Sequence, residues 1–424
     1  MLSMKTVYSP LALLFNSSHE QLNPWHRLSG RVIYSLLCCH ATWYLNFFVQ
    51  KRVLGKRLQD LDVLIGITAF SMMNIIVSTS LEKVRRWNYR VFFVLHLTIG
   101  ITILPLLFFH AKPLRLYIIQ CLALFIFDLG CRKLDTVTGF ATITKVPNTK
   151  LVKVKIPVPL SKLQRFQAAP GQHVYLSIPP QSTPLHTSNP SIYDLLFNPF
   201  TVAEVSATDV TLVLRILNGP TTTALDVLTH LPKAKAPINI EGPLGSSSRF
   251  PNLAADFDRI LLVAGGVGAT FILPIYQNLR EQLENESKSA DRVTLTWSMR
   301  SAAEATWAVG SEMGDKLEED ENVKIFLTRS NADDRDHNDE LIAADASVEL
   351  DELQWVEEPI KATGGRDRPD LRKIVDEIFR FGNEERVAVL VCGPAEMARD
   401  LRGHVGRWVE KGRDVWFHNE SFGW

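Results

Sequence analysis

The sequence contains few cysteines, and their spacing excludes two common roles. The five cysteines show neither zinc-binding spacing nor the even framework of small secreted domains: Cys38, Cys39, Cys121, Cys131 and Cys392. Net charge is also lacking, because 46 Lys and Arg balance 46 Asp and Glu, so charge gives no indication of nucleic acid as a partner. The first residues, MLSMKTVYSPLALLF, contain too short an apolar stretch for a signal peptide.

Long apolar segments are concentrated near the amino terminus, at residues 32–49, 61–77, 91–111 and 114–129. The third is long enough to span a bilayer of roughly 30 Å at about 1.5 Å per helical residue, and the others are near or below that length. Buried core helices are the alternative for the shorter two. Because the four occur together with basic stretches between them, we expect a transmembrane helical bundle over residues 1–135.

Basic residues at the segment ends predict the orientation of this bundle. Two clusters indicate cytoplasmic ends: Lys83, Arg85, Arg86 and Arg90 between the second and third segments, and Arg132 and Lys133 after the fourth. A third cluster at residues 51–57 falls on the outer side, against the rule. We therefore expect the soluble remainder of the chain in the cytoplasm.

Histidines recur in this apolar region at a spacing that places them on one face of a helix. His26 and His40 are fourteen residues apart, as are His96 and His110. Fourteen residues make nearly four turns, so each pair lies on one face, about 21 Å apart along the axis. If all four segments span the membrane, the first and third are parallel, and His26 then faces His96 while His40 faces His110. Facing imidazoles are the ligands of a six-coordinate haem iron, which predicts two stacked haems.

Spacing alone does not identify a haem site, because His404 and His418 in the soluble half are also fourteen residues apart. Core histidines that are hydrogen-bonded to backbone or hydroxyl groups are the alternative. An ionisable group within a membrane segment is a functional hypothesis by default. The apolar setting therefore favours the haem interpretation.

The soluble half changes pattern twice along the chain. Short alternating stretches such as GFATITKVP and LVKVKIPV predict an antiparallel β-barrel domain over residues 136–245. Strands such as RILLVAG and VAVLVCG then alternate with helices, which predicts a parallel, Rossmann-like α/β domain over residues 255–424. The acidic stretch at 331–353 predicts a solvated insertion loop at residues 330–358.

Four short motifs stand at the ends of these predicted strands. LLVAGGVGAT places glycines between a strand and a helix, where backbone N–H groups can approach a pyrophosphate, although it lacks the full G-x-G-x-x-G pattern. VLVCGP ends a second strand in a Gly-Pro turn, at the edge where open parallel sheets bind ligands. NPFTVAEV and LRILNGPTTTAL would each be ordinary strand ends and turns if they stood alone.

As an ordered set, these motifs resemble the fungal ferric reductases, within the wider group of transmembrane NADPH oxidases and ferric-chelate reductases. SPLALLFNSSHEQLNPWHRLSGR and SLEKVRRWNYRVFFVLH look like the approaches to the two haem helices. NPFTVA is similar to the flavin motif, IEGPLG to the interdomain link, AGGVGAT to the pyrophosphate loop and CGP to the nicotinamide end. The resemblance covers nearly the whole chain and implies a transmembrane haem bundle, an FAD-binding β-barrel and an NADP-binding domain of the ferredoxin-NADP reductase type.

The resemblance implies two haem b groups, FAD and NADPH as cofactors, and it implies residues for each. The implied haem ligands are His26, His40, His96 and His110. The implied flavin-binding residues are Asn198, Pro199, Phe200 and Thr201, with Arg215, Gly219 and Thr221 near the FAD phosphates. The implied NADPH-binding residues are Gly265, Gly266, Gly268, Thr270, Cys392, Gly393 and Pro394, with Arg300 at the 2′-phosphate. The implied catalytic residues are Thr201, Cys392 and Trp424, the last covering the flavin face that nicotinamide approaches.

The activity implied is reduction of a ferric, or alternatively cupric, chelate or siderophore outside the plasma membrane or a vacuolar membrane. The chain departs from the family at Asn198, where a His is usual, and in GRDRPD at residues 365–370, where the family has Gly-Arg-Pro-Asp. It also has four apolar segments where family members have six or more membrane helices, so the resemblance implies that the helices before the first haem helix are missing. An oxidase that reduces oxygen to superoxide and a truncated, non-catalytic descendant are the alternatives. The sequence gives no indication of the oligomeric state.

Overall fold

The computed structural model consists of two compact units, Met1–Thr136 and Val137–Trp424. It describes residues 14, 19–179, 197–217, 219–230, 235–245, 247–286, 289–309, 317, 320–328, 363–365, 367–382 and 384–420. Trp424 and the predicted insertion at 330–358 lie outside the described residues. The predictions made for them therefore stay predictions.

All regular secondary structure among the described residues of the first unit is helical. Its helices are α1 (His19–Gln50), α2 (Leu54–Arg57), α3 (Leu61–Thr79), α4 (Glu82–Trp87), α5 (Tyr89–His110) and α6 (Leu114–Asp135). Within the described part of the chain, four helices are long and apolar enough to cross a membrane: α1, α3, α5 and α6. The predicted number of membrane segments is thus matched, but α1 begins at His19 rather than at residue 32. The apolar run marks only the part of a helix suited to lipid, whereas residues such as Glu20 and Gln21 are good helix formers without being apolar.

Large apolar side chains of this unit point outward. Trp43 is 74% exposed, Phe109 64% and Ile126 67%. Water-soluble proteins rarely leave such contiguous apolar surface uncovered, whereas lipid tails are as apolar as these side chains. The exposed faces therefore fit a bundle that is surrounded by hydrocarbon.

The second unit begins with a closed antiparallel barrel whose described strands follow the order β1-β2-β5-β4-β3-β6. Its elements are β1 (Val137–Lys145), β2 (Leu151–Pro157), α7 (Leu160–Gln167), β3 (His173–Ser177), β4 (Asn198–Val205), β5 (Asp209–Arg215), α8 (Pro220–Thr229) and β6 (Lys235–Leu244). In β1, buried and exposed residues alternate as the strand pleat requires. The predicted barrel is confirmed.

A parallel sheet flanked by helices completes the unit. Its elements are α9 (Leu253–Asp256), β7 (Arg259–Gly265), α10 (Ala269–Asn285), β8 (Val293–Met299), α11 (Thr306–Val309), β9 (Val323–Leu327), α12 (Leu371–Phe379), β10 (Val387–Cys392), α13 (Ala395–Val409) and β11 (Val415–Glu420). The described strands follow the order β11-β10-β7-β8-β9. β7 and β10 are neighbours in the middle, so the glycine-bearing turns that follow them meet at one edge. The predicted α/β fold is confirmed as well.

Barrel and sheet pack against each other within this unit. Leu151, Ala203 and Val213 of the barrel belong to the same buried cluster as Phe271 and Ile275 of α10. This contact brings the ends of β4 and β5 towards the glycine turn after β7.

Candidate functional site

The first candidate site lies between α1 and α5 of the helical unit. The imidazole centroids of His26 and His96 are 6.2 Å apart, with an angle of 69° between the ring planes. Two metal–nitrogen bonds of about 2 Å each, together with the radii of two imidazole rings, add up to roughly 6 Å. The separation therefore fits two axial ligands of one haem iron, as helical periodicity predicted for this pair.

His96 makes a second contact that fixes which ring nitrogen is available. Its Nδ1 lies 3.3 Å from the Ser80 hydroxyl, which follows the last residue of α3. The same hydroxyl lies 2.6 Å from the backbone carbonyl of Ile76 and donates its hydrogen there. The hydroxyl must therefore accept from Nδ1, which leaves Nε2 of His96 with its lone pair.

The second pair of histidines is arranged differently. The exposed His40 ring lies 4.8 Å from the ring of Tyr44, one turn along α1. His110 ends α5, and its Nδ1 donates to the backbone carbonyl of Asp62, at 2.8 Å. Among the described ring contacts, none joins His40 to His110. This ligand pair remains a prediction.

The flavin-motif residues lie where β4 meets the start of α8. Asn198 opens β4, and its side-chain amide donates to the hydroxyl of Thr221, at 2.6 Å. Gly219 is the N-cap residue of α8, so Thr221 belongs to its first turn. Pro199 and Thr201 are buried in the barrel wall, and Phe200 packs against the barrel core. The structure thus brings two motifs together that are separated by about twenty residues in sequence.

Arg215, at the end of β5, reaches the sheet domain. Its guanidinium forms an ion pair with the Glu304 carboxylate at 2.6 Å, and both side chains are mostly buried. A Cβ placed on Gly266 would lie 3.6 Å from the same guanidinium. One cation from the barrel is therefore held close to the glycine turn of the sheet domain. Sequence analysis missed Glu304, because nothing in SAAEATW marks a contact with a residue 89 positions away.

The turns after β7 and β10 touch through their backbones. A Cβ on Gly268 would lie 2.0 Å from the carbonyl oxygen of Cys392, and one on Gly265 would lie 2.6 Å from Pro394. A Cβ on Gly393 would lie 2.4 Å from Met397. These glycines are needed because side chains would separate the two turns. The predicted nucleotide-binding residues Gly265, Gly268, Gly393 and Pro394 therefore form one surface.

Two further predicted residues flank this surface. Thr270 is buried in the first turn of α10, where its hydroxyl donates to the carbonyl of Val267, at 2.9 Å. Arg300 is exposed one residue after β8 ends. An exposed cation at this edge can reach a phosphate.

Cys392 is buried close to an acidic side chain. Burial, together with the nearby Glu420 carboxylate, raises the pKa of its thiol to about 12. Glu420 stands opposite Cys392 in the β10–β11 register, and its carboxylate lies 2.8 Å from Nε2 of His418. Glu420 and His418 were both missed. The available signal was their spacing of two in a strand, which places them on one face.

Comparisons with known families agree with this division of the chain. Residues 1–107 match the ferric reductase like transmembrane component family, and residues 257–405 match the ferric reductase NAD binding domain family. "Ferric reductase transmembrane component 1" of Schizosaccharomyces pombe is 25% identical over 97% of this chain and 75% of its own length. "Probable metalloreductase AIM14" of Meyerozyma guilliermondii is 26% identical over 88% of this chain and 72% of its own length.

Solved structures give a weaker likeness. A flavohemoglobin from Malassezia yamatoensis with bound FAD and heme aligns with a TM-score of 0.43 and 15% identity, covering 99% of this chain and 90% of its own. A score of that size supports no argument about function.

The two family matches fall on the two units, one on the apolar helices that carry the histidines and one on the sheet that carries the glycine turns. Relatives named as ferric reductases or metalloreductases extend over both units. The chain therefore belongs to the fungal ferric reductases, as an integral membrane oxidoreductase that acts on metal ions.

Proposed function

We propose that this chain is an NADPH-dependent ferric-chelate reductase that uses FAD and two haem b groups to carry electrons from NADPH to a chelate across the membrane. The observation that carries the proposal is the 6.2 Å separation of the His26 and His96 rings on two helices apolar enough to span a bilayer. Core histidines have no need to face each other at the spacing of two axial ligands. The basic residues in α4 and at the start of α5, together with those at the end of α6, support a cytoplasmic soluble unit.

In the soluble unit, the roles follow from the contacts already described. The glycine turns after β7 and β10 offer backbone N–H groups to the NADPH pyrophosphate, and the start of α10 adds the favourable end of a helix dipole. Arg300 is the candidate partner for the 2′-phosphate, because a guanidinium fork donates bidentately. Arg215 is the cation for the FAD pyrophosphate, while Asn198 and Thr221 hold the barrel side of the flavin site in one hydrogen bond.

The residues around Cys392 bear on the hydride-transfer step. A thiol with a pKa of about 12 is neutral at physiological pH, so it can pack beside an uncharged nicotinamide ring without adding charge. The Glu420 carboxylate supplies an acceptor for a polar group at the same edge. We expect Trp424, whose position is not described, to cover the flavin.

In the helical unit, His26 and His96 are the proposed ligands of the inner haem, and His40 and His110 those of the outer haem. When bound, FAD links two-electron to one-electron chemistry and the haems transfer single electrons. The protein contributes the axial nitrogens, their spacing and an apolar path that excludes water.

The proposal is tested with the purified chain, loaded with FAD and haem and then inserted into liposomes. The measurement is the NADPH-driven reduction of ferric citrate. We expect Fe(II) to form at a rate that superoxide dismutase does not change. Inhibition by superoxide dismutase would identify oxygen as the first acceptor and support the oxidase instead. Absence of Fe(II) and superoxide alike, from protein that retains haem and flavin, would contradict both.

A further inference from the structure

We propose that α3, which contributes none of the predicted haem ligands, is the positioning helix for both histidines of α5. α3 and α5 pack side by side in opposite directions, so each end of α3 lies near one histidine of α5. At the amino end, the backbone carbonyl of Asp62 accepts from Nδ1 of His110. At the carboxyl end, the hydroxyl of Ser80, the residue after α3, accepts from Nδ1 of His96. This inference rests on the proposed function, because it assigns Nε2 as the iron ligand in both cases.

At the carboxyl end of α3, the partner is a side chain. The Ser80 hydroxyl has one hydrogen, which is directed to the Ile76 carbonyl at 2.6 Å. Towards Nδ1 of His96, at 3.3 Å, it can act only as an acceptor. Nδ1 of His96 therefore carries the ring hydrogen.

At the amino end of α3, the partner is the backbone. The Asp62 carbonyl lies 2.8 Å from Nδ1 of His110, and a carbonyl can only accept. His110 is therefore held in the same tautomer as His96. Metal-binding histidines commonly donate their second ring nitrogen to a carbonyl or another fixed acceptor, which sets both ring orientation and basicity.

Gly66 makes the second contact geometrically feasible. A Cβ on Gly66 would lie 2.5 Å from Cε1 of His110, 3.0 Å from Nδ1 and 3.4 Å from Nε2. The Cε1 edge of the His110 ring thus packs against the backbone of α3 at Gly66, one turn after Asp62. A methyl group at this position would push the ring away, and because the ring is a side chain the helices themselves need not move.

The test compares Gly66→Ala with Gly100→Ala in the full-length protein. Gly100 is a matched control, because it lies in the α5 membrane helix between the two histidines and a Cβ there would meet nothing within 4 Å. The readouts are haem per chain by the pyridine haemochrome assay and the low-spin EPR spectrum of each haem. For Gly66→Ala we expect one low-spin signal to shift or disappear while the other stays. Gly100→Ala should match the wild type.

Ser80 provides the complementary arm. Ser80→Ala removes the acceptor for His96 and should shift or weaken the signal that Gly66→Ala leaves intact, whereas Ser80→Thr keeps a hydroxyl and should restore it. Gly66→Ala and Ser80→Ala with two unchanged haem signals would overturn the positioning role. A wild-type protein that binds no haem would instead refute the proposed function, so the two failures are distinguishable.

Discussion

The helical unit and the soluble unit present their functional groups in opposite ways. The long membrane helices use most of their backbone N–H and C=O groups internally, so a group bound within lipid is held mainly by side chains, here histidines. In the soluble unit, the glycine turns remove side chains so that backbone can approach a ligand, and a Cβ on Gly268 would lie 2.0 Å from the Cys392 carbonyl oxygen. The largest loss of function in the first unit should therefore follow from removing a ligand side chain, and the largest in the second from adding a side chain.

The largest effect is expected from removing a histidine ring in the helical unit. His96→Ala should eliminate the inner haem and with it essentially all NADPH-driven reduction of a ferric chelate, because one axial ligand is insufficient for a six-coordinate iron. Haem content and reduction rate measure the effect. His404→Ala, in the soluble unit, is the control and should retain both haems. A His96→Ala protein with two intact haems would contradict the claim that histidine side chains hold the haem in the helical unit.

The reciprocal change in the soluble unit is the addition of one methyl group. Gly268→Ala should abolish detectable NADPH binding, because backbone of the neighbouring turn occupies the position of the new Cβ. We expect a loss of folding stability of about 1–3 kcal/mol as well, the usual cost of overpacking. Gly403→Ala in α13 meets nothing within 4 Å and should be neutral or slightly stabilising. NADPH titration and thermal unfolding compare the two variants, and equal affinity in both would refute the proposed close approach.

A smaller effect is expected where a side chain serves the soluble site. Glu304→Gln removes the charge that neutralises Arg215 and that would repel the FAD phosphates. We expect FAD to bind about tenfold more tightly, which corresponds to roughly 1.4 kcal/mol. Glu284→Gln, in a more exposed pair with Arg280, is the control and should leave FAD affinity unchanged. Weaker FAD binding by Glu304→Gln would argue that the ion pair is part of the binding-competent arrangement.

The smallest effect concerns the thiol of Cys392. Because its pKa is raised to about 12, above the ordinary value of 9.0, the thiol stays neutral in the folded protein, and the stability it contributes is fully present below pH 9 and lost progressively as pH rises from 9 to about 12. Alkylation by iodoacetamide should therefore remain slow between pH 7 and 9 in the folded protein and become fast near pH 9 after denaturation. Peptide mapping by mass spectrometry follows this residue separately from the other cysteines. Rapid alkylation of folded protein at pH 7 would contradict both the burial and the raised pKa.

Sequence periodicity predicted the parts of the structure that repeat. Four apolar runs predicted four membrane-length helices, and alternating strands followed by strand–helix units predicted the barrel and the sheet. The facing of His26 and His96 followed from the 3.6-residue helical repeat. The beginning of α1 did not follow, because polar helix formers extend a helix without extending the apolar run.

Contacts between distant residues could not be predicted in this way. The ion pair of Arg215 and Glu304 and the contact of Gly66 with His110 depend on how whole elements pack. No local pattern specifies which turn of α3 faces the end of α5. Nothing in the sequence around Gly66 distinguishes it from any other glycine in a membrane segment.

The most direct measurement is anaerobic addition of NADPH to the purified full-length protein with FAD, followed by visible spectroscopy of the haem bands. The proposed electron path predicts two haem b groups per chain, both reduced by NADPH to the extent that dithionite reduces them. Haem that dithionite reduces but NADPH does not, in protein that retains FAD, would contradict the path, as would a chain that binds no haem.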